Sequence, residues 1–231
     1  MDYVVADTGD LSAVRVAAST LMARHPAIHV LIHNAGALDD VRGVTADGIE
    51  QTIASHVLGP FLLTTLLLPA LRAASAARVL WVTSGGMYSE PLRVDALEME
   101  TVRYDGVKAY ARAKRAQVTL SQMWAERLRP DGIVVHAMHP GWADTPGVAR
   151  SLPTFHRVVG RLLRSPAEGA DTLIWLAVDD GAPLARTGEL WLDRRPRTLH
   201  RTAATWASDT RDERAKLWAW ALARSGASDP R

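Results

Sequence analysis

Three short apolar runs constrain this 231-residue chain more than any other feature: Ile28 to Ile32, Arg78 to Val82 and Ile133 to Met138. A strand with one wet face alternates apolar and polar residues. A compact run without alternation belongs to a strand buried on both faces, and such strands sit in parallel sheets with helices on either side. The segments between the runs carry helical periodicity. It is read from Leu11 to about His25, from Ala46 through His56 and Phe61 to Ala74, from Asp105 to Leu128, from Val148 to Leu163, from Pro166 to Val178 and around Arg211 to Ala223. Gly59-Pro60 predicts a kink or irregular turn inside the second of these. Tyr3 to Ala6 and Glu189 to Leu192 add two shorter strand candidates. The alternation predicts an α/β fold, a doubly wound parallel sheet. Ligands of such sheets sit at the carboxyl ends of the strands. Asp7, Asn34-Ala35-Gly36, Ser84 and Pro140-Gly141 all fall at such ends.

With 48% hydrophobic residues and no linker or low-complexity stretch, residues 1–231 are expected to form one domain, with a disordered tail over about 224–231. The absence of cysteine excludes disulfides, thiol nucleophiles and cysteine-ligated metals. Met1-Asp2-Tyr3-Val4 lacks the character of a signal peptide. The longest uncharged apolar stretch, Val57 to Leu71, is interrupted by Gly59, Pro60 and Pro69 and falls short of the ~20 residues of a bilayer span. A soluble, cytoplasmic protein without a membrane span is expected. Net charge is +2, and Arg194, Arg195, Arg197 and Arg201 form a basic cluster that reads as a solvated face, so nucleic acid is not expected as a partner. His136 and His139 are three apart on a strand and face opposite sides, the wrong arrangement for a shared metal; no metal is expected.

The chemistry concentrates at Tyr110-Ala-Arg-Ala-Lys114. Four residues make just over one helical turn, so the phenol and the ammonium project from one face. Bringing a phenol from near pKa 10 to about 7 needs roughly 4 kcal/mol of selective stabilisation of phenolate, and a fixed ammonium can supply much of it. The motif alone is weak, because Tyr104-Asp-Gly-Val-Lys108 has the same spacing.

Together with Asp7, His33-Asn34-Ala35-Gly36, Leu58-Gly59-Pro60-Phe61, Val82-Thr83-Ser84-Gly85-Gly86-Met87 and Met138 to Thr145, the Tyr110 motif makes the chain resemble the short-chain dehydrogenase/reductase family and its retinol-dehydrogenase-like members. Ser84 precedes Tyr110 by 26 positions, the long spacing of those members, which selects Tyr110 over Tyr104. The resemblance implies an NAD(P)-dependent oxidoreductase that interconverts an alcohol and a carbonyl on a lipophilic small molecule. Tyr110 would exchange the proton, Ser84 would hold the substrate oxygen, and Lys114 would lower the phenol pKa and bind the nicotinamide ribose. It places Asp7 at the adenine, Asn34, Ala35 and Gly36 beneath the cofactor, and Pro140, Gly141 and Thr145 around the nicotinamide. Gly85, Gly86 and Trp142 would shape the substrate pocket, with Met87, Leu92 and Leu152 as further apolar lining. The choice between NAD and NADP is not readable. Homo-oligomerisation is expected through the Tyr110 helix and the 166–178 helix.

Two departures accompany the resemblance. His56 stands where the family usually has a proton-relay Asn, which leaves it either a relay or an ordinary helix residue. The glycine-rich phosphate loop is also missing, so the expected fold is a Rossmann-type doubly wound sheet lacking its first two strands and helices. In the strand order 3-2-1-4-5-6, Tyr3 to Ala6 then has no neighbour and Val30 to Ile32 becomes an open edge. Either the start is internal to a longer protein, or the gene is truncated. The alternative function is a catalytically inactive remnant serving as an association module.

Overall fold

The computed structural model describes residues 2–144, 157 and 163–230. The helix expected from Val148 to Leu163 falls outside the described residues apart from Arg157 and Leu163, as do Thr145 and Leu152.

Five strands form one sheet in the order β1 (Val30–His33), β2 (Arg78–Val82), β3 (Val134–Met138), β4 (Leu190–Leu192) and β5 (Arg195–Arg197). The first four are parallel, with Val30 opposite Arg78, Arg78 opposite Val134 and Ala137 opposite Leu190; β5 returns antiparallel to β4. The double burial inferred from the apolar runs is visible along β2 and β3. Val79, Trp81, Val135 and Ala137 face the main core, whereas Leu80 and Met138 face a smaller one with Leu176 and Trp191.

The main core lies under α1 (Leu11–Arg24), α2 (Gln51–Arg72), α3 (Gly106–Leu128) and α6 (Arg211–Ser225). Its aromatic centre is Phe61, Trp124 and Trp218, with ring centroids 4.9 to 5.2 Å apart, and the Arg127 guanidinium 3.7 Å from the Trp218 ring. The other face is covered by α4 (Pro166–Val178). Buried Arg78 ties that helix to the sheet: its Nη1 donates to the Leu176 and Asp179 carbonyls at 3.0 and 2.7 Å, and its Nη2 pairs with Asp180. These are carbonyls of the helix C-terminus, where a cation is favoured.

Local sequence sets the helix starts. Asp10 caps α1, Asp105 caps α3, and Ser165 with Glu168 forms a capping box around Pro166 at the head of α4. The buried Glu50 carboxylate caps α2 by accepting from Thr52 N and Ile53 N.

Several expectations are corrected. Tyr3 to Ala6 joins no sheet; Tyr3 and Val5 are 79% and 88% exposed, because no strand of the described sheet lies beside β1 on that side. Of the kink or irregular turn expected at Gly59-Pro60, the structure has the irregular turn, a π turn at Ala54–Leu58 that runs directly into Gly59, and α2 continues through it. It is therefore 22 residues long and apolar enough to cross a bilayer by length and composition, but 72% of its apolar window is buried inside the protein. Arg224 and Ser225, placed in the expected tail, belong to α6; Arg224 donates to both Glu98 oxygens, and Ser225 is buried. A short helix, α5 (Ala203–Ser208), precedes α6, and its Trp206 is 72% exposed.

Candidate functional site

The Asp105 carboxylate starts α3 by accepting from Lys108 N at 3.1 Å, and Tyr110 follows on the next turn. Ser84 ends the β2 connection; its Oγ accepts from Gly86 N at 3.2 Å and caps the 3-10 turn Gly85–Tyr88. Ser84 lies near enough to the Tyr110 phenol to favour its ionised form. Lys114, 3% exposed, lies one turn further along α3, with its Nζ 5.3 Å from the Tyr110 ring centroid. That ammonium donates to the Val82 carbonyl at 3.0 Å, while Thr83 Oγ1 donates to the Lys114 carbonyl at 3.0 Å. Two hydrogen bonds thus fasten α3 to the carboxyl end of β2 and bring Ser84, Tyr110 and Lys114 together.

Burial pulls both ionisable partners toward their neutral forms. It lowers Lys114 to about 7 and raises Tyr110 above its usual value of 10.0, with Ser84 opposing the rise. The Lys114 ammonium lies over the Tyr110 ring and binds a carbonyl, and burial is the largest influence on the phenol. The rival Tyr104 is excluded: its hydroxyl donates to Glu50 at 3.0 Å and braces the α2 cap.

His56 occupies the π turn of α2 and stands edge-on to Tyr110, ring centroids 5.5 Å apart. Its Nε2 accepts from Ala37 N at 2.8 Å, which puts the proton on Nδ1, a buried atom with no partner. Burial, reinforced by the Lys114 charge, holds its pKa well below 6.5, so the ring is neutral. Gly36 packs against this ring; a Cβ there would come within 3.0 Å of Nε2. His56 therefore links the exposed Asn34-Ala35-Gly36 turn after β1 to the tyrosine. Asp7 and Gly36 line one groove of about 470 Å³, in which Asp7 Oδ1 accepts from Gly9 N at 2.7 Å.

At the end of β3, Gly141 turns with φ +74° and Trp142 is 52% exposed. Arg164 crosses this turn, its Nη1 3.4 Å from the Pro140 carbonyl, and holds Asp193 by two hydrogen bonds of 2.5 and 2.9 Å. Gly85 meets nothing within 4 Å of a would-be Cβ, and Gly86 lies beside Ala111. Met87 and Leu92, expected as pocket lining, are 0% and 1% exposed and belong to the core. Sequence reasoning weighed His139, which is buried, only as a metal ligand, and did not single out the Arg164–Asp193 pair. His139 could have been flagged by its place before Pro140-Gly141; nothing local marks Arg164. Among the described residues no cluster of three or more His, Cys, Asp or Glu is arranged to hold a metal.

Comparison with known proteins gives the family and the fold. The sequence profile described as short chain dehydrogenase matches residues 1–154. The human protein dehydrogenase/reductase SDR family member 12 is 42% identical over 186 residues, 80% of this chain and 58% of its own length. Human retinol dehydrogenase 12 is 33% identical over 76% of this chain and 56% of its own length. The chain thus spans less than two thirds of these curated relatives. A crystal structure of an uncharacterised protein from Mycobacterium paratuberculosis superposes with a TM-score of 0.73 at 26% identity, covering 98% of this chain and 76% of the other. The chain belongs to the short chain dehydrogenase family.

Proposed function

We propose that the protein is an NAD- or NADP-dependent oxidoreductase that interconverts an alcohol and a carbonyl on a lipophilic small molecule, using Ser84, Tyr110 and Lys114. The observation that carries the reading is the buried Lys114 ammonium against the Tyr110 ring, with Ser84 close by at the carboxyl end of the sheet. The residues present fit the nicotinamide-ribose end of the cofactor. Lys114 is almost wholly enclosed and makes one side-chain hydrogen bond, which leaves two N–H groups to donate to sugar hydroxyls. Lys114 would hold that ribose, with the Asn34 to Gly36 and Pro140-Gly141 turns beside it and Asp7 toward the adenine. When bound, the nicotinamide supplies or accepts the hydride.

The chain's own groups handle the proton. In reduction, a neutral phenol is the form that donates, and burial keeps Tyr110 protonated at neutral pH. Ser84 Oγ donates a hydrogen bond to the substrate oxygen and aligns it with the phenol. As the phenol gives up its proton, a protonated Lys114 becomes the favoured form, because a nearby anion raises the pKa of an ammonium. Neutral His56 keeps the 34–37 turn in place through Ala37 N. The exposed Trp142 indole offers an apolar surface beside the site, in keeping with a lipophilic substrate.

The test is hydride transfer from NADH and NADPH to a panel of aliphatic and aromatic aldehydes, followed at the nicotinamide absorbance. Tyr110→Phe is expected to lower kcat by about 10²- to 10⁴-fold while leaving cofactor affinity intact. Equal turnover by Tyr110→Phe and the native protein would overturn the assignment.

A further inference from the structure

A second polar assembly lies next to Ser84. Thr83 N donates to the Met138 carbonyl at 2.7 Å, so the ends of β2 and β3 run side by side and bring Ser84 next to His139 and Pro140. His139 is 6% exposed. Its Nδ1 accepts from Gly141 N at 3.3 Å, which leaves the ring proton on Nε2, and Nε2 has no hydrogen-bond partner. A buried N–H without an acceptor is rare in folded proteins and calls for an explanation.

Arginines surround it. Tyr88, the last residue of the 3-10 turn that Ser84 caps, stands edge-on to His139 with ring centroids 6.3 Å apart. The Arg201 guanidinium lies 4.5 Å from the Tyr88 ring centroid. Arg164 reaches the Pro140 carbonyl, and Arg197 lies 3.9 Å from Asp193. The charges of Arg201, Arg197 and Arg164 are all close enough to oppose protonation of His139. The carboxylate that faces His139 is Asp193, and it is already held by Arg164, which Glu168 also faces. Arg201 has no ion-pair partner among the described residues, its contacts being with Tyr88. A solvated basic face accounts for exposed arginines. It does not account for a buried, unanswered N–H among them.

We propose that this cluster is the subsite for an anionic group of the substrate. The molecule oxidised or reduced at Ser84 and Tyr110 is then a lipophilic alcohol or carbonyl compound that carries a carboxylate or a phosphate. Its anionic oxygens accept from His139 Nε2 and pair with Arg201 and Arg197, while Trp142 offers the apolar surface for the body. Arginine suits this role because its planar fork matches either oxyanion. The inference rests on the oxidoreductase reading for the reaction, but not for the binding.

Binding can be read without turnover. The 231-residue protein is titrated in a calorimeter with decanoate, decyl phosphate and decanol, at low and high salt, beside Arg201→Gln. At least one anion is expected to bind roughly tenfold more tightly than decanol, and salt should weaken that anion alone. Arg201→Gln should remove the difference and leave decanol unchanged. The tighter of the two anions identifies the group. Equal binding of all three probes, salt-independent binding of the anions, or no binding of any would overturn the proposal. Arg201 is exposed, so the variant is expected to fold, and the salt series on the native protein stands independently of it. Absence of hydride transfer to neutral aldehydes would count against the oxidoreductase reading and leave the anion result standing.

Discussion

At single residues, burial decides charge. His33 is enclosed, its Nε2 2.7 Å from Thr64 Oγ1, which itself donates to the Pro60 carbonyl, and burial pushes its pKa down to about 3. His139 is pushed to about 4 by burial and then by Arg201 and Arg197; His56 and His136 are lowered as well. For each, the unfolded chain binds a proton more readily than the folded one. Stability is therefore complete above the unfolded value near 6.5 and declines as pH falls below it. A histidine that stays neutral in the fold loses about 1.4 kcal/mol of its contribution by about pH 5.5. Urea unfolding should accordingly show a marked loss of stability between about pH 7.5 and about pH 5.5. His33→Gln should make that loss smaller. A stability that does not change over this range would show that these rings are not held neutral.

At the level of elements, the turn at residues 7–10 meets α2 at Gly59. A Cβ there would stand 1.9 Å from the Thr8 carbonyl oxygen, a backbone atom that cannot swing aside. Gly59→Ala must push the turn off the helix and is expected to destabilise the protein by about 3 kcal/mol, whereas Gly85→Ala, with open space around it, should leave the melting temperature nearly unchanged. Parallel thermal melts of the two variants decide; equal melting would mean that the turn does not press on α2. The same contact shows where sequence reading stops. Starts of helices were legible because caps are local: Asp105 before α3 and Ser165-Pro166 before α4 are written in adjacent residues. The form of the irregularity in α2 was not, since a π turn spans residues 54–58 with no marker but the Gly-Pro that follows. Ser84, Tyr110 and Lys114 were legible because each ends a strand or shares a helical face. His139, Arg164 and Arg201 come near one another only in the folded chain, through Pro140, Asp193 and Tyr88, and no spacing in the sequence records that.

For the whole molecule, the two edges of the sheet differ in kind. At one edge β5 reads Arg195-Pro196-Arg197, two charges and a proline, the composition that keeps an edge from pairing further. At the other, β1 reads Val30-Leu31-Ile32-His33 and, among the described strands, pairs only with β2. Ile32 is 40% exposed there. The faces are also unequal, because the main core lies under α1, α2, α3 and α6 whereas α4 covers the other, leaving Val30 and Val82 only partly buried. An apolar, unpaired parallel strand is a template for association with other chains. Ile32→Lys places a charge on that edge without touching the core and should slow aggregation, read by light scattering during mild heating, at an unchanged melting temperature. Leu31 points the other way, into the main core, and Leu31→Lys should lower stability by about 2 to 4 kcal/mol and hasten aggregation. Opposite effects from adjacent residues would establish that the open edge, and not the stability of the fold, governs association. If Ile32→Lys aggregates as fast as the native protein, β1 is already covered in solution.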